Sequence, residues 1–280
     1  MAEITPAAVA KLREMTGAGL MECKKALVEA NGDISLAVDI LRKKGIATAG
    51  TKGAREAKDG LIVYHTLPGS RLGVIVEVNC ETDFVARNET FRAFCEDVAR
   101  KLAADPKADL ENDRVSQVAK IKENIKISRS QRLEVSGNGM IAGYIHTGGK
   151  LGVLVEVGAG KESTVANDEF KQLVRDITLQ IAAAHPHVVT RDQIDPAVIA
   201  KEREIAAEQV KNKPPQAIAK IVEGKREKFY QTYCLMDQAF VKRDQDNAEV
   251  SVKDHIARTG KKLGDEVSIR RFVRFQVGET

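Results

Sequence analysis

Several things are scarce in this chain, and each scarcity removes a class of protein. Only four cysteines occur in 280 residues, Cys23, Cys80, Cys95 and Cys234, with no Cys-x-x-Cys spacing and no histidine at metal-ligand intervals. That excludes a disulfide framework and predicts reduced, partly buried thiols in a cytoplasmic chain. No apolar run approaches the roughly 18 residues a membrane helix needs, and no basic start leads into an apolar stretch, so membrane spanning and secretion lack support. Charge of one sign is not in excess either: 44 basic against 40 acidic residues leave +4, which gives no vote for direct nucleic-acid binding. Phosphate-binding loops, dinucleotide turns and nucleophile elbows are missing, so nucleotide and acyl-transfer enzymes lose their usual markers.

What is present is a repeat. Leu72-Gly-Val-Ile-Val-Glu-Val78 returns as Leu151-Gly-Val-Leu-Val-Glu-Val157, an offset of 151 − 72 = 79. Carried on without gaps, residues 72–104 match 151–183 at 11 of 33 positions, where chance would give roughly two. The duplication fails where strand gives way to helix: copy one carries Thr82-Asp83-Phe84-Val85, and copy two has Lys161-Glu162-Ser163-Thr164. Copy two closes its scaffold without an aromatic there, so the fold does not demand Phe84. Such a ring either enters a partner's pocket beside its neighbouring carboxylate or folds back onto its own helix.

The hydrophobic content, 43%, suffices for a real core, and the length suggests about two domains. The pattern predicts an α+β protein. Thr5-Pro6 opens a short helix with Val9, Leu12 and Met15 on one face; a second runs from Leu20 to Ala30, and a third starts at Asp33 and ends at Gly45. These form a three-helix N-terminal domain, 1–45, followed by a Gly, Ala and Lys-rich linker, 46–59. Core half one, 60–138, reads as two strands, a loop, a helix and a closing strand through Ile125, Ile127, Leu133 and Val135. Core half two, 139–280, repeats the plan with antiparallel strands, closing through Val267, Ile269, Phe275 and Val277. Its offset has grown to 267 − 125 = 142, so 142 − 79 = 63 residues are inserted. Asp195-Pro196 opens a helix there to about Asn212, Lys213-Pro214-Pro215 breaks it, and a second helix runs through Phe229. The pair predicts an antiparallel helical hairpin at about 190–230, too charged to be buried and so projecting from the body.

Other motifs favour plain readings. His185-Pro-His187 lacks a third ligand, and no metal site is expected. Thr16-Gly-Ala-Gly19 joins two helices and reads as a turn. Glu77 and Glu156 recur at one repeat position inside apolar strands, which points to scaffold.

Thr16-Gly-Ala-Gly-Leu-Met-Glu-Cys-Lys-Lys-Ala-Leu27, the Asn31-Gly-Asp33 junction, Val78-Asn-Cys-Glu-Thr-Asp-Phe-Val-Ala86 and the segment from Ile269 to Glu279 resemble bacterial elongation factor Ts, over the whole chain. The resemblance implies a UBA-like N-terminal domain, a coiled-coil hairpin, and guanine-nucleotide exchange on the GTPase elongation factor Tu, performed by binding and not as an enzyme, with no cofactor and no small-molecule substrate of its own. It implies that Thr82, Asp83, Phe84 and Val85 form the loop whose phenylalanine enters the GTPase domain and displaces magnesium. Leu12, Arg13, Met21 and Lys24 would touch the GTPase domain, and His146, within Gly143-Tyr-Ile-His146, another domain of Tu. The C-terminal extension of the family looks short here, ending soon after Gly278. The rival reading is an RNA- or ribosome-associated protein, from the basic residues between Lys52 and Lys58 and between Lys211 and Lys228; interspersed Glu56, Asp59, Glu223 and Glu227 favour solvated faces instead.

Overall fold

The computed structural model describes residues 4–210, 214–242 and 250–279. The chain is α+β. Helix α1 (Pro6–Thr16) starts where Thr5 accepts the Ala8 amide at 3.2 Å and Pro6 presets the first turn, and it stops at Gly17 in the left-handed region. Helices α2 (Leu20–Glu29) and α3 (Ile34–Lys52) complete a cluster in which Val9, Leu12, Cys23, Ala26, Leu27 and Ala37 are buried.

Helix α3 does not end at Gly45. It runs seven residues into the stretch predicted as linker, because small side chains serve close helix packing as well as loops. A β-carbon on Gly45 would lie 3.4 Å from that of Ala119, and Ala49 is buried in the core of half one. The composition that suggested disorder is what lets α3 lie against its neighbour.

Half one continues with β1 (Asp59–Thr66), β2 (Leu72–Cys80), α4 (Asp83–Ala86), α5 (Glu89–Ala104), α6 (Glu111–Ile121) and β3 (Lys126–Glu134). Half two has β4 (Gly139–Ile145), β5 (Leu151–Ala159), α7 (Glu162–Ala166), α8 (Asp168–Ala184), α9 (Pro196–Glu208), α10 (Pro215–Tyr233), α11 (Val252–Leu263) and β6 (Val267–Gln276). Two antiparallel sheets result, ordered β1-β2-β3 and β4-β5-β6. Val78 pairs with Ile127 and Val157 with Ile269, so the offset rises from 157 − 78 = 79 to 269 − 127 = 142 across the insertion. Helix α11 stands where α6 stands in half one, which confines the extra residues to the span between α8 and α11. No helix among the described residues is long and apolar enough to cross a membrane.

The sheets stack face to face. Their inner faces share Ile62, Ile75, Leu133, Ile141 and Leu154, while the outer faces are covered by α5 and α8 respectively. Every residue of β2 is therefore buried, which is why both central strands read as largely apolar, interrupted in each by one glutamate at the same repeat position. The stacking is reciprocal: Ile62 donates its amide to the Gly149 carbonyl and Ile141 to the Ser70 carbonyl, each at 2.7 Å, and 141 − 62 and 149 − 70 are both 79. The repeated glycine answers to this face. A β-carbon on Gly73 would come within 2.8 Å of Ile141, and one on Gly152 within 2.5 Å of Ile62.

Of the predicted hairpin, α9 and α10 are the described limbs; the expected end at Asn212 and break at Lys213 lie outside the described residues. At its base Arg191 bridges Glu227 at 2.8 Å and Asp237 at 2.7 Å with its guanidinium over the Tyr230 ring.

Candidate partner-binding site

The segment after β2 turns sharply into α4, and a carboxylate from far along the chain holds that turn. Glu123 accepts the backbone amides of Glu81 and Thr82, each at 3.0 Å, and the Thr82 hydroxyl at 2.7 Å. Thr82 is also the helix cap, its hydroxyl oxygen accepting from the Val85 amide at 3.4 Å. From below, the Cys80 thiol donates to the Thr82 carbonyl at 3.2 Å; burial pushes that thiol up to about 12, so it stays protonated and keeps the bond. Val85 and Ala86 pack on the core of half one.

With both neighbours anchored, Phe84 points outward and is 81% exposed. The ring does not fold back. Asp83 sits beside it, 2.9 Å from Arg87 one turn on. An aromatic left in water on a firmly held turn forgoes roughly 1.5–3 kcal/mol that burial against another molecule would return.

The same position in copy two keeps the clamp and lacks the tip and the threonine cap. Asp265, which lies 265 − 123 = 142 after Glu123, accepts the Lys161 amide at 2.9 Å and the Thr164 hydroxyl at 2.6 Å, the latter holding its carboxyl below the ordinary range. Thr164 is buried as Val85 partly is, and exposed Ser163 stands in for Phe84. The clamp belongs to the scaffold. The ring was added to it or kept on it in one half.

Glu77 and Glu156 are scaffold too. Matching bulges after them leave Ser128 and Arg270 without a strand partner, 270 − 128 = 142. In half one Asn79 bridges Glu77 at 2.9 Å and the Asp59 carbonyl at 3.1 Å, with Ser128 bonded to it. Half two has Gly158 in place of Asn79, and Arg270 fills the space, reaching Glu156 at 3.0 Å and the Asn138 carbonyl at 2.9 Å. Burial alone would raise the Glu156 pKa, but the Ser136 amide with Arg271 and Arg270 overcomes it and the value is lowered.

The remaining predicted contacts are scattered. Met21 and Lys24 lie exposed on α2, together with exposed Leu20, and Arg13 is exposed on α1. Leu12 is a correction: at 0% exposure it fills the middle of the helical cluster and presents nothing to a partner. Its position on the apolar stripe of α1 was the better guide. Helix α2 is tied to the Phe84 turn through Glu22, which pairs with Lys122 at 2.7 Å next to Glu123. His146 stands apart at the end of β4, hydrogen-bonded to the Tyr144 hydroxyl at 3.0 Å. His185 stacks on His187, and His187 on Tyr233; no group of three ligand-type side chains forms among the described residues. Of the basic stretches, Arg55 reaches Glu81, Lys58 pairs with Glu56 and Arg226 with Glu223. All four cysteines are free and buried.

Comparison with known proteins agrees with this architecture. The elongation factor TS family matches residues 81–279. Curated relatives named elongation factor Ts include one from Nostoc punctiforme, 42% identical, with all of this chain and 94% of the relative aligned. Another from Symbiobacterium thermophilum is 42% identical over all of this chain and 93% of its own length. A third, from Clostridioides difficile, is 40% identical over all of this chain and 94% of its own.

Proposed function

The chain belongs to the elongation factor Ts family, and from that membership we propose that it exchanges guanine nucleotide on elongation factor Tu in the cytoplasm, with the Phe84 turn as the displacing element. The observation that carries the residue assignment is the 81% exposure of Phe84 on a turn whose copy-two twin carries serine.

The chemistry is binding alone; no bond is made or broken. Phe84 enters the GTPase domain and Asp83 meets a cation or backbone donor beside it, and the intrusion shifts the groups that hold magnesium. Magnesium neutralises the phosphates of GDP, so its loss leaves their charge against the binding loop without compensation and GDP departs faster. The factor favours nucleotide-free Tu, and by linkage GDP weakens the factor's binding by the same ratio. Exchange therefore runs either way, with the supply of GTP setting the outcome. Helices α1 and α2 contribute Arg13, Met21 and Lys24 to the GTPase domain, and half two, through His146, reaches a second domain of Tu.

The test is GDP release from Tu with the intact chain and with Phe84→Ala. A marked slowing is expected; an unaltered release rate would remove Phe84 from the mechanism.

A further inference from the structure

We infer that Glu123 is a positioning residue for exchange: it sets the aim of Phe84 by clamping Glu81 and Thr82, where the backbone enters the turn that carries the ring. This inference rests on the reading of Phe84 as the displacing group. Three hydrogen bonds converge on one carboxylate, from the amides of Glu81 and Thr82 and from the Thr82 hydroxyl. Accepting them fixes both the path of the backbone into α4 and the rotamer of its cap. Phe84 itself stands largely in water, so its direction is inherited from that turn.

The carboxylate is itself held. It follows Lys122, which terminates α6 in the left-handed region at φ 67°, and precedes Asn124, whose amide donates to the Glu81 carboxylate at 2.6 Å. Asn124 also donates its side-chain amide to the Arg55 carbonyl at 2.7 Å, and Lys122 holds Glu22 of α2. Residues 122–124 thus join three things in one turn: the Phe84 segment, the chain leaving α3, and helix α2 through Glu22. The clamp keeps the ring at a constant setting relative to the helical unit, so binding energy gained at α2 is delivered with Phe84 already aimed.

The experiment is a double-mutant cycle on the full-length chain, reading GDP release from Tu across factor concentrations for Glu123→Ala, Glu123→Gln, Phe84→Ala and the Glu123→Ala/Phe84→Ala pair. Glu123→Ala is expected to lower the maximal rate about tenfold while the half-saturating concentration moves little, and Glu123→Gln, which keeps one acceptor, to recover part of it. In the Phe84→Ala background Glu123→Ala should add nothing, whereas a loss caused by weakened folding would persist there. Asp265→Ala, the same lesion in half two, should leave the maximal rate as it was. An unchanged rate for Glu123→Ala beside a slow Phe84→Ala would overturn the positioning role and spare the reading of Phe84. Effects that multiply in the double variant would overturn it as well. A silent Phe84→Ala would sink both.

Discussion

The turn after β2 and the turn after β5 share a carboxylate clamp, a short helix and an asparagine-capped long helix, yet one ends in an exposed phenylalanine and the other in a serine. The difference teaches what the scaffold requires and what has been placed on it. A feature found in both halves, such as the clamp or the buried glutamate, is accounted for by folding. A feature found in one half, and turned toward solvent, has no such account and belongs to whatever the protein meets.

The sharpest way to break the comparison is to remove the two tips in turn. Phe84→Ala should weaken exchange by about 2–4 kcal/mol, as loss of a buried anchor does, and Ser163→Ala by almost nothing. Equal effects in GDP-release assays would mean that the asymmetry carries no function. Ser163→Phe should not rescue Phe84→Ala, since half two would present the ring elsewhere.

Next in size is an exchange of scaffold parts. Gly158→Ala would place a β-carbon 2.5 Å from the Arg270 side chain, and should cost about 1–3 kcal/mol in urea unfolding. Gly158→Asn combined with Arg270→Ser recreates the arrangement of half one and should recover much of that loss. Failure of the pair to improve on Gly158→Asn alone would show that the halves have diverged beyond this swap.

A smaller effect separates the halves by pH. Glu156 titrates below its ordinary value of 4.5, so its ionised bonds stabilise the fold fully above that pH and are lost as acid carries it through the lower folded value. The unfolding free energy of the intact chain should fall toward that of Glu156→Gln as the pH drops below 4.5, and a gap independent of pH would contradict the assignment. Smallest of all, Lys24→Ala on the exposed face of α2 should weaken association by under about 1 kcal/mol, chiefly through the on-rate and more at low salt.

How much of this was legible follows from how local each signal was. The helix start at Thr5-Pro6 and the strands of both halves could be read because residue type and periodicity act within a few positions. The tip at Phe84 could be located because the duplication supplies an internal control. The linker was misread: Ala and Gly between 45 and 52 look like loop until a facing helix gives their smallness a use. Glu123 was missed because its partners lie about 40 residues away; the offset of 142 does pair it with Asp265, but that pairing becomes interpretable only once both carboxylates are seen at their turns. The bulges after Glu77 and Glu156 likewise depend on a partner strand.

The reciprocal bonds from Ile62 to Gly149 and from Ile141 to Ser70 carry a historical consequence. Contacts in which i meets j and the copy of j meets the copy of i are the mark of a two-fold homodimer interface. A free-standing half would hold the inner side of its sheet, Ile62, Ile75 and Leu133, open to water. Duplication of a self-associating unit as long as the 79-residue offset accounts for this symmetry, and a covalent join leaves each half free to change without the other.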